Sequence, residues 1–146
     1  MRQAARAIII EEGRLLLMHR NKDGDQYFTL VGGRLQENEN QEEALKREVK
    51  EETGLDITSA QLVFIEEHPE PYNEQYSFLC TVAPHQAVAT QIGSDEEMLN
   101  QVGLNVHTPV WVSISSFPSI AFRTPQLRNA LLEALKNGFL DQPIKL

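Results

Sequence analysis

Arg47, Glu48, Glu51 and Glu52 stand within one short stretch, REVKEE, and they are the side chains with the densest chemistry in the chain. On a helix, at about 100° per residue, Glu48 falls inside the apolar stripe of Ala44, Leu45 and Val49. Glu52 lies inside the same face and Glu51 borders it. Partly buried carboxylates crowded into one turn repel each other and lose hydration, so they require a cation. Arg47 supplies one positive charge. A hard divalent metal supplies more, and Mg²⁺ takes carboxylates together with water and phosphate oxygens. An ordinary solvated helix accounts for Glu42, Glu43, Lys46 and Lys50, but poorly for Glu48 and Glu52. On the same wheel Arg47 points towards solvent, in the favourable i,i+4 order with Glu43.

The elements around these residues must hold them in place. Asn38 and Asn40 are N-cap candidates, and Gly54 is a natural left-handed stop, which sets a helix from Gln41 to Thr53. Upstream, residues 3–10 and 14–20 are apolar runs about Glu11-Glu12-Gly13, which predicts a β-hairpin. Asn21 to Asp25 reads as a turn, and Tyr27 to Val31 as a strand that ends in Gly32-Gly33. Downstream, residues 59–67 and 75–83 predict a second strand pair, and residues 109–114 a further strand. The run from Pro84 to His107 lacks periodicity, with a short helix expected near residues 94–101. Residues 124–137 predict a closing helix, with Pro125 near its start and Gly138 as its stop. Pattern alone gives a mixed α/β domain over residues 1–146, a length that suits one core.

Gly33, Glu39 and the run Arg47-Glu48-Val49-x-Glu51-Glu52-x-Gly54-Leu55 resemble the complete Nudix box, MutT-like, with every fixed position filled. The resemblance implies an α/β/α sandwich with a curved mixed β-sheet, the box helix on one side and the C-terminal helix on the other. It implies metal-dependent hydrolysis of a diphosphate linkage in a nucleoside diphosphate linked to another moiety, with Mg²⁺ or Mn²⁺ as the cation. By the same resemblance Glu51 and Glu52 are metal ligands, Glu48 is a ligand or the base that takes a proton from water, Arg47 orients the glutamates, and the Gly33 carbonyl lies near the metal. Glu39 braces the loop against the helix. Many members carry proline ahead of the paired glycines; Val31 stands there in this chain, which removes a stiffening ring but no chemical group.

A later carboxylate assists in several relatives, and Glu96 and Glu97 are candidates, against the reading of a solvated acidic turn. Tyr27, Phe28, Tyr72, Tyr76 and Trp111 are candidates to stack on a base, against a plain packing role for each. Pro71 and Tyr72 both fall near positions that mark different substrate subfamilies, so these markers cancel. The alternative reading is a catalytically silent Nudix-fold nucleotide sensor, although such proteins tend to lose box glutamates and this chain keeps them all.

Net charge is −8 and the pI about 5.0, which argues against broad nucleic-acid contact, including capped RNA ends, and against an anionic membrane surface. A small phosphorylated partner is compatible with that charge. The lone Cys80 lies in an apolar strand pattern and reads as a buried structural thiol, which also disfavours a cysteine-dependent isomerase on the same fold. Neither a signal peptide nor a spanning segment is legible, and the expected setting is the cytoplasm. Homodimers are frequent in the family.

Overall fold

Alternation along the central strands sorts their side chains onto two buried faces. In β1 (Gln3–Ile8), Ala5 and Ala7 face one core while Ile8 faces the other. In β3 (Arg14–Lys22), Leu16 and Met18 go to the first core, and Leu15 and Leu17 to the second. Helix α1 (Gln41–Thr53) covers the first face with Leu45 and Val49. Helix α2 (Pro125–Asn137) covers the second with Leu127 and Leu131. The result is the expected α/β/α sandwich. The structure is a computed structural model and describes residues 2–67, 72–85, 87–88 and 105–146. The expected short helix near residues 94–101 lies outside them.

The sheet is mixed and open, in the order β2 (Ile10–Glu11), β3, β4 (Asp25–Arg34), β1, β6 (Glu74–Val82), β5 (Ile57–Glu67), β8 (Ile144–Lys145). Strand β7 (Asn105–Ser113) adds to β3. Pairs β1–β6 and β5–β8 are parallel, and the others antiparallel. Two register shifts in β5 bend it, as bulges do.

One expectation needs correction. The hairpin of residues 3–10 with 14–20 forms only through β2, where Ile10 faces Leu15. Strand β1 instead runs between β4 and β6. The reason is burial: every residue of β1 after Gln3 is buried, on both faces, and such a strand belongs in the middle of a sheet. Strand β4 is also longer than expected and carries Gly32 and Gly33 within it.

Both helix ends of α1 follow their chemistry. The Asn40 side chain accepts the Glu43 N–H at 2.8 Å, and the Glu43 carboxylate accepts the Asn40 N–H at 3.0 Å, a reciprocal cap. Asn40 rather than Asn38 is therefore the cap. Gly54 closes the helix in the left-handed conformation at φ 78°. In α2, Thr124 caps through the Leu127 N–H, and Gly138 donates its N–H to Ala134 at the end.

Candidate active site

Strand β4 and helix α1 meet at the glycine pair, and each glycine is required for a different reason. Gly32 has φ +129°, and a Cβ there would lie 2.2 Å from the Ala5 carbonyl oxygen. The close approach of β1 leaves no room for a side chain. Gly33 faces the helix instead, and a Cβ would meet the Glu48 carboxylate at 2.6–2.9 Å. That carboxylate thus lies directly over the Gly33 backbone.

Helix α1 presents its acidic residues at graded depths. Glu52 is fully buried, the Glu48 side chain is 15% exposed and Glu51 35%. Glu52 Oε1 accepts the Gly32 N–H at 2.7 Å. Its Oε2 lies 4.0 Å from the Arg20 guanidinium. Arg20 in turn donates from Nε to Thr29 Oγ1 at 2.9 Å and lies against the His107 ring at 3.2–3.3 Å. A buried carboxylate is therefore fixed by one main-chain N–H with a cation nearby, which offsets part of its lost hydration.

Arg47 does not point to solvent, and Glu43 is not its partner. Its guanidinium folds across the site because a nearer set of acceptors is available. Nε and Nη2 bond the two Glu39 oxygens at 2.7 and 3.0 Å, a fork that matches the carboxylate. Nη2 also reaches the Arg34 carbonyl at 3.2 Å. Nη1 is shared by Glu48 at 3.1 Å and Glu51 at 3.5 Å. Glu39 accepts the Gln36 N–H at 2.9 Å as well, so it ties the loop to the helix. The hydrogen bond from Arg47 holds the Glu39 carboxyl below the usual carboxylate range, and the same bond pushes the Arg47 pKa up. Glu43 is committed to the cap.

Gly33, Arg47, Glu48, Glu51 and Glu52 are thus brought into one place where β4 meets α1. Among the described residues no three His, Cys, Asp or Glu side chains converge on a single point as they stand. Glu48 and Glu51 lean to Arg47, and Glu52 to Gly32. The donors are hard oxygens in excess over the local cations, which is the composition a hard divalent cation fits. Glu96, Glu97 and Pro71 lie outside the described residues.

Other candidates have ordinary surroundings. Tyr27 carries the Arg123 guanidinium over its ring at 3.8 Å, and Phe28 packs in the α2-side core against His19. Trp111 stacks with His85 at 6.3 Å, and Tyr76 packs beside the α1-side core. Tyr72 lies 5.8 Å from the Arg6 guanidinium. Cys80 is buried, and burial pushes its thiol up to about 12, as a structural thiol requires. Among the described residues no helix is long and apolar enough to cross a membrane.

Sequence reasoning missed Arg6, Arg20 and His107. Arg6 is a lone charge among apolar residues of β1, whereas Arg20 and His107 stand among other polar residues near the ends of β3 and β7. In β1 that exception was the only signal, since a buried arginine needs a reason.

Comparison with known proteins points to one family. A family model described as NUDIX domain matches residues 1–131. A Bacillus subtilis (strain 168) protein named "Putative 8-oxo-dGTP diphosphatase" is 30% identical over 139 residues, covering 95% of this chain and 83% of its own. An Escherichia coli (strain K12) protein named "CTP pyrophosphohydrolase" is 35% identical over 65 residues, 43% of this chain and 48% of its own. Among solved structures, a MutT NUDIX hydrolase from Burkholderia pseudomallei superposes with TM-score 0.66 at 20% identity, over 90% of this chain and 97% of that one.

Proposed function

The chain belongs to the NUDIX domain family of hydrolases, and from that premise we propose that it hydrolyses a diphosphate linkage in a nucleoside diphosphate linked to another moiety. The observation that carries this reading is the setting of Glu48, Glu51 and Glu52 on one face of α1, with the Glu48 carboxylate laid over Gly33.

Glu48, Glu51, Glu52 and the Gly33 carbonyl would hold a divalent cation, Mg²⁺ or Mn²⁺. Such a cation neutralises phosphate oxygens and lowers the pKa of a bound water. The Gly32 N–H holds one Glu52 oxygen and so orients its carboxylate. Glu48 serves as a further ligand or as the base that accepts the proton from attacking water. Arg47 positions Glu48 and Glu51 by sharing one nitrogen between them, and a dication would compete for that place.

The name of the Bacillus relative makes 8-oxo-dGTP the first compound to try, with CTP second. The reading treats residues 1–146 as one domain, because β8 joins the sheet that the box helix covers and α2 packs on the other face of that sheet. It includes homodimers, as is frequent in the family, and a cytoplasmic setting, which suits a single buried thiol. The test is release of phosphate or pyrophosphate from a nucleotide panel with and without Mg²⁺, beside Glu52→Gln. We expect metal-dependent turnover that Glu52→Gln removes without unfolding the protein. Equal turnover by the variant would overturn the site assignment.

A further inference from the structure

Arg6 is 6% exposed, in the middle of the sheet, and none of the chemistry above uses it. Alternation places it on the α2 side, since Ala5 and Ala7 face α1. Its Nη1 donates to the Gly32 carbonyl at 2.8 Å and to the Leu30 carbonyl at 3.4 Å. Its Nε donates to Gln75 Oε1 at 3.1 Å. The Gln75 amide donates to Glu66 Oε1 at 2.8 Å, and Glu66 Oε2 accepts the Thr124 hydroxyl at 2.5 Å. Gln75 and Glu66 are 6% and 1% exposed. The run therefore goes from the cap of α2, through a buried acid and a neutral amide, to a buried guanidinium beneath the glycine pair.

Gly32 is where this run meets the box helix. Its N–H goes to Glu52 on one face, and its C=O accepts from Arg6 on the other. The two peptide units that flank its α-carbon are each held by a charged side chain from opposite sides of the sheet. Burying a guanidinium and a carboxylate is costly. An apolar chain would fill the same space without that cost. What the guanidinium adds is direction: by holding the Leu30 and Gly32 carbonyls it fixes the peptides on either side of the Val31–Gly32 unit, whose N–H orients Glu52.

We propose that Arg6, supported by Gln75 and Glu66, is a positioning residue that holds Glu52 in its working orientation through the Gly32 peptide. The proposal rests on the hydrolase reading above for its catalytic consequence, and on the hydrogen bonds alone for its structural one.

The test uses the full chain with Arg6→Met, Arg6→Lys and Gln75→Leu, and Phe117→Leu as a core control in the α2-side cluster. Kinetics at saturating Mg²⁺ are normalised to folded protein. In metal-free protein, NMR follows the Gly32 amide and the Glu52 carboxyl carbon. We expect Arg6→Met to lower kcat by about 10–100-fold with little change in KM. Arg6→Lys restores part of it, because an ammonium still reaches a carbonyl. The Gly32 and Glu52 signals move in Arg6→Met and stay in Phe117→Leu. If Arg6→Met does not fold, Gln75→Leu carries the same expectations, since it keeps the guanidinium and removes the acceptor that aims it. A lowered Tm with unchanged kcat and an unmoved Gly32 amide overturns the proposal. If the wild type turns over nothing on the panel, the hydrolase reading fails, and the Gly32 amide decides the positioning by itself.

Discussion

The Glu48 carboxylate occupies the space where a side chain on Gly33 would begin, at 2.6–2.9 Å from an ideal Cβ. The backbone at Gly33 does not need a positive φ, so alanine fits the chain but not the neighbour. Gly33→Ala is therefore expected to keep the fold and displace Glu48. Activity on the best panel substrate should fall by at least about tenfold, the scale on which support around a metal-type site acts. A variant with wild-type kcat would show that the position of Glu48 does not matter.

Gly32→Ala should behave in the opposite way. Here φ is +129° and the added Cβ would press on the Ala5 carbonyl at 2.2 Å. Backbone strain of roughly 1–3 kcal/mol is expected, with the clash in addition. Urea unfolding should show a loss of at least about 2 kcal/mol against wild type. A loss no greater than that of Gly33→Ala would contradict the geometry.

The ion pair of Glu39 with Arg47 makes a prediction in pH. Its hydrogen bond to Arg47 depresses the Glu39 pKa in the folded state. A depressed acid stabilises the fold above its unfolded value, about 4.3, and loses that contribution as pH falls through the lower folded value. The stability gap between wild type and Glu39→Gln should hold at neutral pH and close only below about pH 4. Thermal unfolding from pH 7 to pH 3 measures it. A gap that closes already above pH 5 would reverse the sign.

Cys80 should be inert in the native protein. Burial pushes its thiol up to about 12, so almost no thiolate is present at pH 8. A disulfide reagent added at pH 8 should label the chain only after denaturant. Rapid stoichiometric labelling without denaturant would place the thiol elsewhere.

Much of this was legible beforehand, for physical reasons that differ by element. Helix α1 announced itself through local signals: Asn40 and Glu43 at one end, Gly54 at the other, and the buried stripe between. The depth of Glu52 followed from the wheel. The place of β1 was not legible, because an apolar run before a glycine turn fits both a hairpin and a central strand. The choice depends on partners far along the sequence, Arg34 and Glu74 among them. The path of Arg47 was hidden likewise. Its better acceptor, Glu39, comes from a loop, and a helical wheel knows nothing of loops. The run from Arg6 to Thr124 joins four separate elements, and no spacing rule connects them.

The parallel pairing of β1 with β6 also says something about the order in which the molecule can be made. Gln3 meets Glu74, and Ile8 meets Leu79, so the first strand waits for a neighbour near the chain's midpoint. Bringing such distant segments together carries loop-closure entropy and slows folding. A nascent polypeptide that has just passed Leu55 already holds every box residue, yet Gln75, which grips Arg6, has not been synthesised. The grip beneath Gly32 must therefore close late, after β6 docks, whereas the faces of β1 and β4 on which the box helix packs precede it in the chain.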